Sequence, residues 1–179
     1  EFAEQFQRGM TGIERFLQIM DADIEIFDEA DAVEMGEPKG EIAFHNVSFE
    51  YPDDHNQVFK NLNLTIHPGE KVALVGPSGG GKTTLCNLIP RFYDVTSGSI
   101  TIDGIDVREM SQEKLRSLIG YVPQKGVLFS GTIASNLKFA GDQVSDEMMK
   151  EAADIAQAVD FIEEKEEKYN SPIAQGGTN

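Results

Sequence analysis

One stretch limits the possible folds of this chain more than any other: Gly76-Pro77-Ser78-Gly79-Gly80-Gly81-Lys82-Thr83-Thr84. It fits the pattern G-x-x-x-x-G-K-[ST], in which a glycine-rich turn joins a strand to a helix. The flanks agree with it. Lys71-Val72-Ala73-Leu74-Val75 is a short apolar, β-branched run that predicts a buried strand, and Thr84-Leu85-Cys86-Asn87-Leu88-Ile89 predicts the first turns of a helix. Gly76, Gly79, Gly80 and Gly81 let their backbone N–H groups, with that of Ser78, turn inward around an anion with no Cβ in the way. The helix N-terminus adds unpaired donors and partial positive charge. Lys82 can then reach β- and γ-phosphates, and the Thr83 hydroxyl can ligate Mg²⁺. The expected ligand is a nucleoside triphosphate, bound by this chain or by its ancestor.

With 179 residues, 40% of them apolar and 26% charged, the chain can form one soluble domain with a core, or one and a fraction. No apolar run approaches the roughly 20 residues of a membrane-spanning helix, and no leader-like segment is visible. The first residue is Glu1, which is read as the mark of a polypeptide cut from something longer or processed. Fifteen Lys and Arg against 31 Asp and Glu leave a formal charge of −16, concentrated at residues 21–37 and 163–167. That balance opposes general affinity for nucleic acid or anionic lipid. It does not oppose ATP, because a phosphate loop works through local donors and Mg²⁺. Cys86 has no partner for an internal disulfide and is expected to pack as a small hydrophobe. His45, His55 and His67 have no companions at metal-ligand spacing.

Along the chain, Phe2, Phe6, Met10, Ile13, Phe16, Leu17 and Met20 recur at spacings of three and four, predicting an amphipathic helix over 2–20. An acidic connector ends in Gly36-Glu37-Pro38-Lys39-Gly40, whose turn chemistry predicts a domain boundary. The period then drops to two. Strands are expected at Ile42 to Phe49, with one irregularity, at Val58 to Ile66 and at Ser99 to Asp103, the last turned by Asp103-Gly104. Ser111 is the expected N-cap of the next helix, and Ile119 to Val122 reads as a short buried strand ending at Pro123-Gln124. Thr132 to Leu137 reads as helical. Ser145 should open a longer helix with Ala152, Ala153, Ile155, Ala156, Val159 and Ile162 on its apolar face. Residues 170–179 read as a loop.

Taken together, these segments resemble the nucleotide-binding domain of an ABC transporter, of the exporter type, over essentially the whole chain. Val47-Ser48-Phe49-Glu50-Tyr51-Pro52 is similar to the family's aromatic loop, which implies that the Tyr51 ring stacks on adenine. Ser97 to Gly104 is similar to the strand and turn after the phosphate-loop helix. Ile119-Gly120-Tyr121-Val122-Pro123-Gln124 resembles the Q-loop, and Leu128 to Leu137 resembles the segment that meets the coupling helices. Gln124 is neutral with both donor and acceptor, so it can touch Mg²⁺ or a water without cancelling metal charge. The resemblance also implies a Thr84 hydroxyl contact to the α-phosphate.

The implied fold is α/β: a phosphate-loop NTPase of the ABC type, with a mixed or antiparallel β region, a phosphate-loop core and the start of a helical subdomain. Residues 1–39 would be the cytoplasmic end of the last transmembrane helix and its connector, 40–123 the ATP-binding core, and 124–179 the Q-loop and helical subdomain. Implied partners are the transmembrane domain of the same transporter and a second nucleotide-binding domain, identical or not, at the cytoplasmic face of the plasma (inner) membrane. ATP and Mg²⁺ are the implied cofactors, with Lys82 and Gln124 in the catalytic set. The family's serine-glycine signature, Asp-Glu strand and histidine loop would follow residue 179, and Gly176-Gly177-Thr178-Asn179 resembles what precedes the signature. Neither Ile24-Glu25-Ile26-Phe27-Asp28-Glu29 nor Ile100-Thr101-Ile102-Asp103 has the buried apolar run of the Asp-Glu strand. The intact parent is therefore expected to hydrolyse ATP, and the 179 residues alone to do so negligibly and to fold marginally. Two other readings stay open: a soluble phosphate-loop kinase or GTPase, and an interaction module organised by nucleotide.

Overall fold

The computed structural model describes residues 2–33, 35–53, 55–141, 143–174, 176 and 177. The final Thr178-Asn179 of the signature-like terminus lies outside them. The chain divides into two units, 1–120 and 121–179.

The first unit begins with helix α1, Phe2–Met20, whose apolar residues Phe6, Met10, Ile13, Phe16, Leu17 and Met20 are exposed. Its sheet has four antiparallel strands: β1 Ile42–Glu50, β2 Gln57–Ile66, β3 Ser97–Ile102 and β4 Ile105–Asp106, in the order β2-β1-β3-β4. Against the one irregularity expected, β1 breaks register with β2 three times, between Phe49 and Glu50, between Val47 and Phe49, and between Phe44 and Val47, where Asn46 sits at φ 49°. The extra residue lets Phe44 and Val47, three apart, both face the core. Gly98 is required opposite that break, because a Cβ there would collide with the carbonyls of His45 and Asn46. Asp103 and Gly104, both at positive φ, close the β3–β4 hairpin as an Asp-Gly turn should.

Helix α2 spans Lys82–Leu88, and α3 spans Gln112–Ser117 with Ser111 Oγ accepting from the Lys114 N–H. One core joins Phe44, Val47 and Phe49 of β1, Leu85 and Leu88 of α2, Ile100 and Ile102 of β3, and Leu115 of α3. Met35 of the connector is buried in the same cluster. The Asp103 carboxylate fastens the connector's end, accepting from the N–H groups of Lys39 (2.7 Å), Gly40 (3.1 Å) and Glu41 (2.9 Å). Those bonds hold its pKa below the usual carboxylate range, with Glu41 the leading cause.

Two expected buried strands are corrected. Residues 71–75 form no strand and are exposed, Val75 to 94%. Residues 119–122 likewise form none, with Val122 93% exposed. A strand needs ladder pairing with a neighbouring strand, and among the described residues neither segment belongs to a sheet. Cys86 is also corrected: it is exposed on the outer side of α2, since Leu85 and Leu88 take the inward positions.

In the second unit, β5 Gly131–Thr132 pairs with β6 Pro172–Ile173, so the expected terminal loop contains a short strand. Helix α4, Ile133–Leu137, carries a capping box between Thr132 and Ser135. Helix α5 is Asp146–Ile155, N-capped by Ser145 as the sequence indicates. The long helix expected beyond it is broken: Gln157 adopts φ 56°, and α6 restarts at Val159–Glu163. The unit's core is therefore Ile133, Ala153 and Ile162 with Met149 also buried, while Ile155 points to solvent at 76% exposure.

Candidate functional site

The glycine loop enters α2 through Gly81, which serves as its N-cap in left-handed conformation (φ 83°). An alanine Cβ at this position would lie 2.8 Å from Val58 Cγ1 and 2.9 Å from Phe59 Cζ, so β2 presses directly against the loop. Gly79 is also left-handed, and the Gly80 N–H turns back to the Pro77 carbonyl at 3.2 Å. No side chain caps α2, in contrast to α3, α4 and α5. The first-turn N–H groups are thus left for an external acceptor.

Lys82 folds over the loop's start. Its Nζ donates to the carbonyls of Gly76 (2.8 Å) and Pro77 (2.6 Å), a position from which a charged head can exchange carbonyl for phosphate oxygens. Thr83, Gly76, Ser78, Gly79 and Gly80 are exposed. Their accessibility, the uncapped helix and the poised ammonium fit an anionic triphosphate, and the accessible Thr83 hydroxyl fits a ligand for its Mg²⁺.

Thr84 faces the other way. It is 5% exposed, and its Oγ1 lies 2.7 Å from the Tyr51 hydroxyl. Tyr51 is held edge-on by Phe49 (centroids 5.0 Å, 80°) and by Tyr93 (5.3 Å, 89°). The structure therefore brings Tyr51 and the phosphate-loop helix together through a bond that the sequence did not signal. Tyr93 and Phe49 are missed supports of the same kind, because their contacts with Tyr51 bridge distant segments. Gln124 belongs to the second unit, where it is exposed in a bend.

The two segments rejected as sources of a catalytic carboxylate are engaged elsewhere. Asp103 is occupied by the three backbone N–H groups at residues 39–41, and Asp28 Oδ1 accepts from the Gln112 N–H at 3.0 Å. Residues 24–29 form no strand. Among the described residues no group of three or more His, Cys, Asp and Glu is placed to hold a metal ion.

The ABC transporter family model matches residues 59–176, which include the whole loop, α2 and Gln124. The chain belongs to the ABC transporter family. Among its relatives, an ATP-dependent lipid A-core flippase of Syntrophus aciditrophicus is 46% identical over 172 residues, 96% of this chain and 28% of that protein. A putative multidrug export ATP-binding/permease protein of Staphylococcus aureus is 42% identical over 160 residues, 89% of this chain and 28% of that protein. A bacterial Atm1-family ABC exporter solved with ATP bound superposes with a TM-score of 0.84 at 34% identity, covering 96% of this chain and 30% of that one. This ABC chain is thus an exporter-type nucleotide-binding domain, spanning under a third of the length of the relatives it matches. Among its described residues no helix is long and apolar enough to cross a membrane.

Proposed function

We propose that this chain is the ATP-binding part of an ABC exporter in which ATP binding and hydrolysis drive a substrate across the membrane. The observation that carries the proposal is the loop itself, where the Lys82 ammonium and the uncapped end of α2 meet on a glycine cradle backed by β2. Ser78 to Gly81 would hold phosphate oxygens through backbone N–H groups, and Lys82 would carry the β/γ charge. Tyr51 would stack on adenine, its ring already fixed by Phe49 and Tyr93. Thr83 and Gln124 would hold Mg²⁺, which when bound neutralises phosphate charge. Thr84 would contact the α-phosphate only by sharing or leaving its bond to Tyr51.

Residues 1–39 would join this domain to the preceding transmembrane domain, 40–123 form the ATP core, and 124–179 begin the helical subdomain. A second nucleotide-binding domain would complete the pair, at the cytoplasmic face of the membrane. Activation of the attacking water would fall to a carboxylate elsewhere in the parent, and lack of a catalytic base costs about two to four powers of ten. The test is ATP turnover by the full-length parent in lipid vesicles. Turnover should fall about 100-fold or more in Lys82→Ala, and the 179-residue chain alone should be nearly inactive. Wild-type turnover in the Lys82→Ala parent would contradict the proposal.

A further inference from the structure

The far end of α2 is tied to the connector that follows α1. Arg91, three residues beyond Leu88, is 5% exposed and adopts φ 54°, a left-handed conformation that a bulky residue keeps only when its surroundings hold it. Its guanidinium makes four hydrogen bonds: two to the Asp94 carboxylate (2.7 and 3.1 Å), one to the Arg108 carbonyl (3.4 Å) and one to the Phe27 carbonyl (3.2 Å). Gln112, at the start of α3, donates its N–H to Asp28 Oδ1 and its Nε2 to the Ile26 carbonyl at 3.2 Å. Farther along, the Val33 N–H donates to the Glu109 carbonyl at 2.7 Å.

Close packing does not explain the hold on the connector's first part. A cleft of about 380 Å³ separates Glu25 and Ile26 from Phe49, Tyr93 and Asp94, and the Phe27 side chain is exposed. Directional polar bonds hold it instead. One of them, from Arg91 to the Phe27 carbonyl, starts just beyond the helix whose beginning carries the phosphate loop, and the others lie at Glu109 and Gln112.

We propose that Arg91 is a positioning residue that couples nucleotide capture at the first turn of α2 to the connector and α1. The proposal rests on the nucleotide-binding reading above. Helix α2 is about 10 Å long at 1.5 Å per residue, and Leu85 and Leu88 seat it in the core. It moves as a rod, so a shift of its first turn is felt at Arg91 and passed to the Phe27 carbonyl. Removal of the guanidinium leaves the Asp94 carboxylate, which is 38% exposed, and two neutral carbonyls, so the tie breaks without stranding a buried charge.

The test uses the full-length polypeptide in lipid vesicles, with its native cysteines, Cys86 included, replaced by serine. Nitroxides at Gln18 of α1 and Glu113 of α3, both exposed, report their separation by pulsed electron resonance. Wild type should change its distance distribution between EDTA and a non-hydrolysable Mg·ATP analogue. Arg91→Gln should bind the analogue within about twofold of wild type yet lose the change, Gln112→Ala should lose part of it, and Arg91→Lys should restore part. If Arg91→Gln does not fold, Gln112→Ala and Arg91→Lys decide the matter by the same readout. Variants that bind the analogue and keep the full change would overturn the coupling, as would a wild type that binds with no change. A wild type that binds no analogue would overturn both the coupling and the nucleotide-binding reading.

Discussion

Tyr51→Phe removes one oxygen and keeps the ring, so it isolates the bond between the aromatic loop and α2. The partner left behind, Thr84 Oγ1, sits in a residue only 5% exposed, where water cannot easily replace the lost group. Leaving a buried hydroxyl unpaired costs about 1–3 kcal/mol, and the half-buried position of Tyr51 argues for the lower part, about 1–2. Thr84→Val is milder, about 0.5–1 kcal/mol, because the Tyr51 hydroxyl can turn to solvent. The double variant removes both partners and should cost little more than Thr84→Val alone, giving a coupling of about 1 kcal/mol. Hydrogen exchange of the α2 amides in the full-length protein reads this directly. About 1–2 kcal/mol lowers protection there about 5- to 30-fold in Tyr51→Phe, and the double variant should return to near the Thr84→Val level. Strictly additive losses, or unchanged protection in Tyr51→Phe, would refute the reasoning.

Tyr51→Ala in the full-length protein should weaken Mg·ATP about 5- to 150-fold, the range for loss of an aromatic platform under a base, whereas Tyr51→Phe should stay near wild type in fluorescence titration. Asp103→Ala should loosen the connector's end, seen as faster exchange of the Lys39, Gly40 and Glu41 amides at neutral pH. The folded-state pKa of Asp103 is lowered, so its contribution is complete above its ordinary value near 3.8 and is lost as pH falls through the lower folded value; the difference from wild type should shrink below about pH 4. Thr132→Ala removes the Oγ1 half of the α4 capping box, leaving the Thr132 N–H bonded to Ser135 Oγ, and should cost about 1 kcal/mol locally, measured as exchange at residues 133–137.

The phosphate loop, the N-caps Ser111 and Ser145 and the Asp103-Gly104 hairpin were legible because each is a local rule: glycine for left-handed backbone, a hydroxyl for a free N–H, an Asp-Gly pair for a tight turn. The family was legible from the loop together with the Tyr51 and Gln124 segments. Residues 71–75 and 119–122 misled because an apolar run records a preference for burial, while strand formation also needs a neighbouring backbone. The break at Gln157 was hidden because alanines on both sides keep helical spacing through it. The Tyr51–Thr84 and Arg91–Phe27 bonds join residues 33 and 64 positions apart, and no local pattern encodes such pairs.

Titration calorimetry of the full-length protein with Mg·ATP, wild type against Lys82→Ala, puts the phosphate grip to its most direct trial. Saturable heat in the wild type and its loss, or an affinity at least about tenfold weaker, in the variant is the predicted result. Equal heats and affinities, or no heat in either, would mean that the glycine loop and its lysine do not hold the triphosphate.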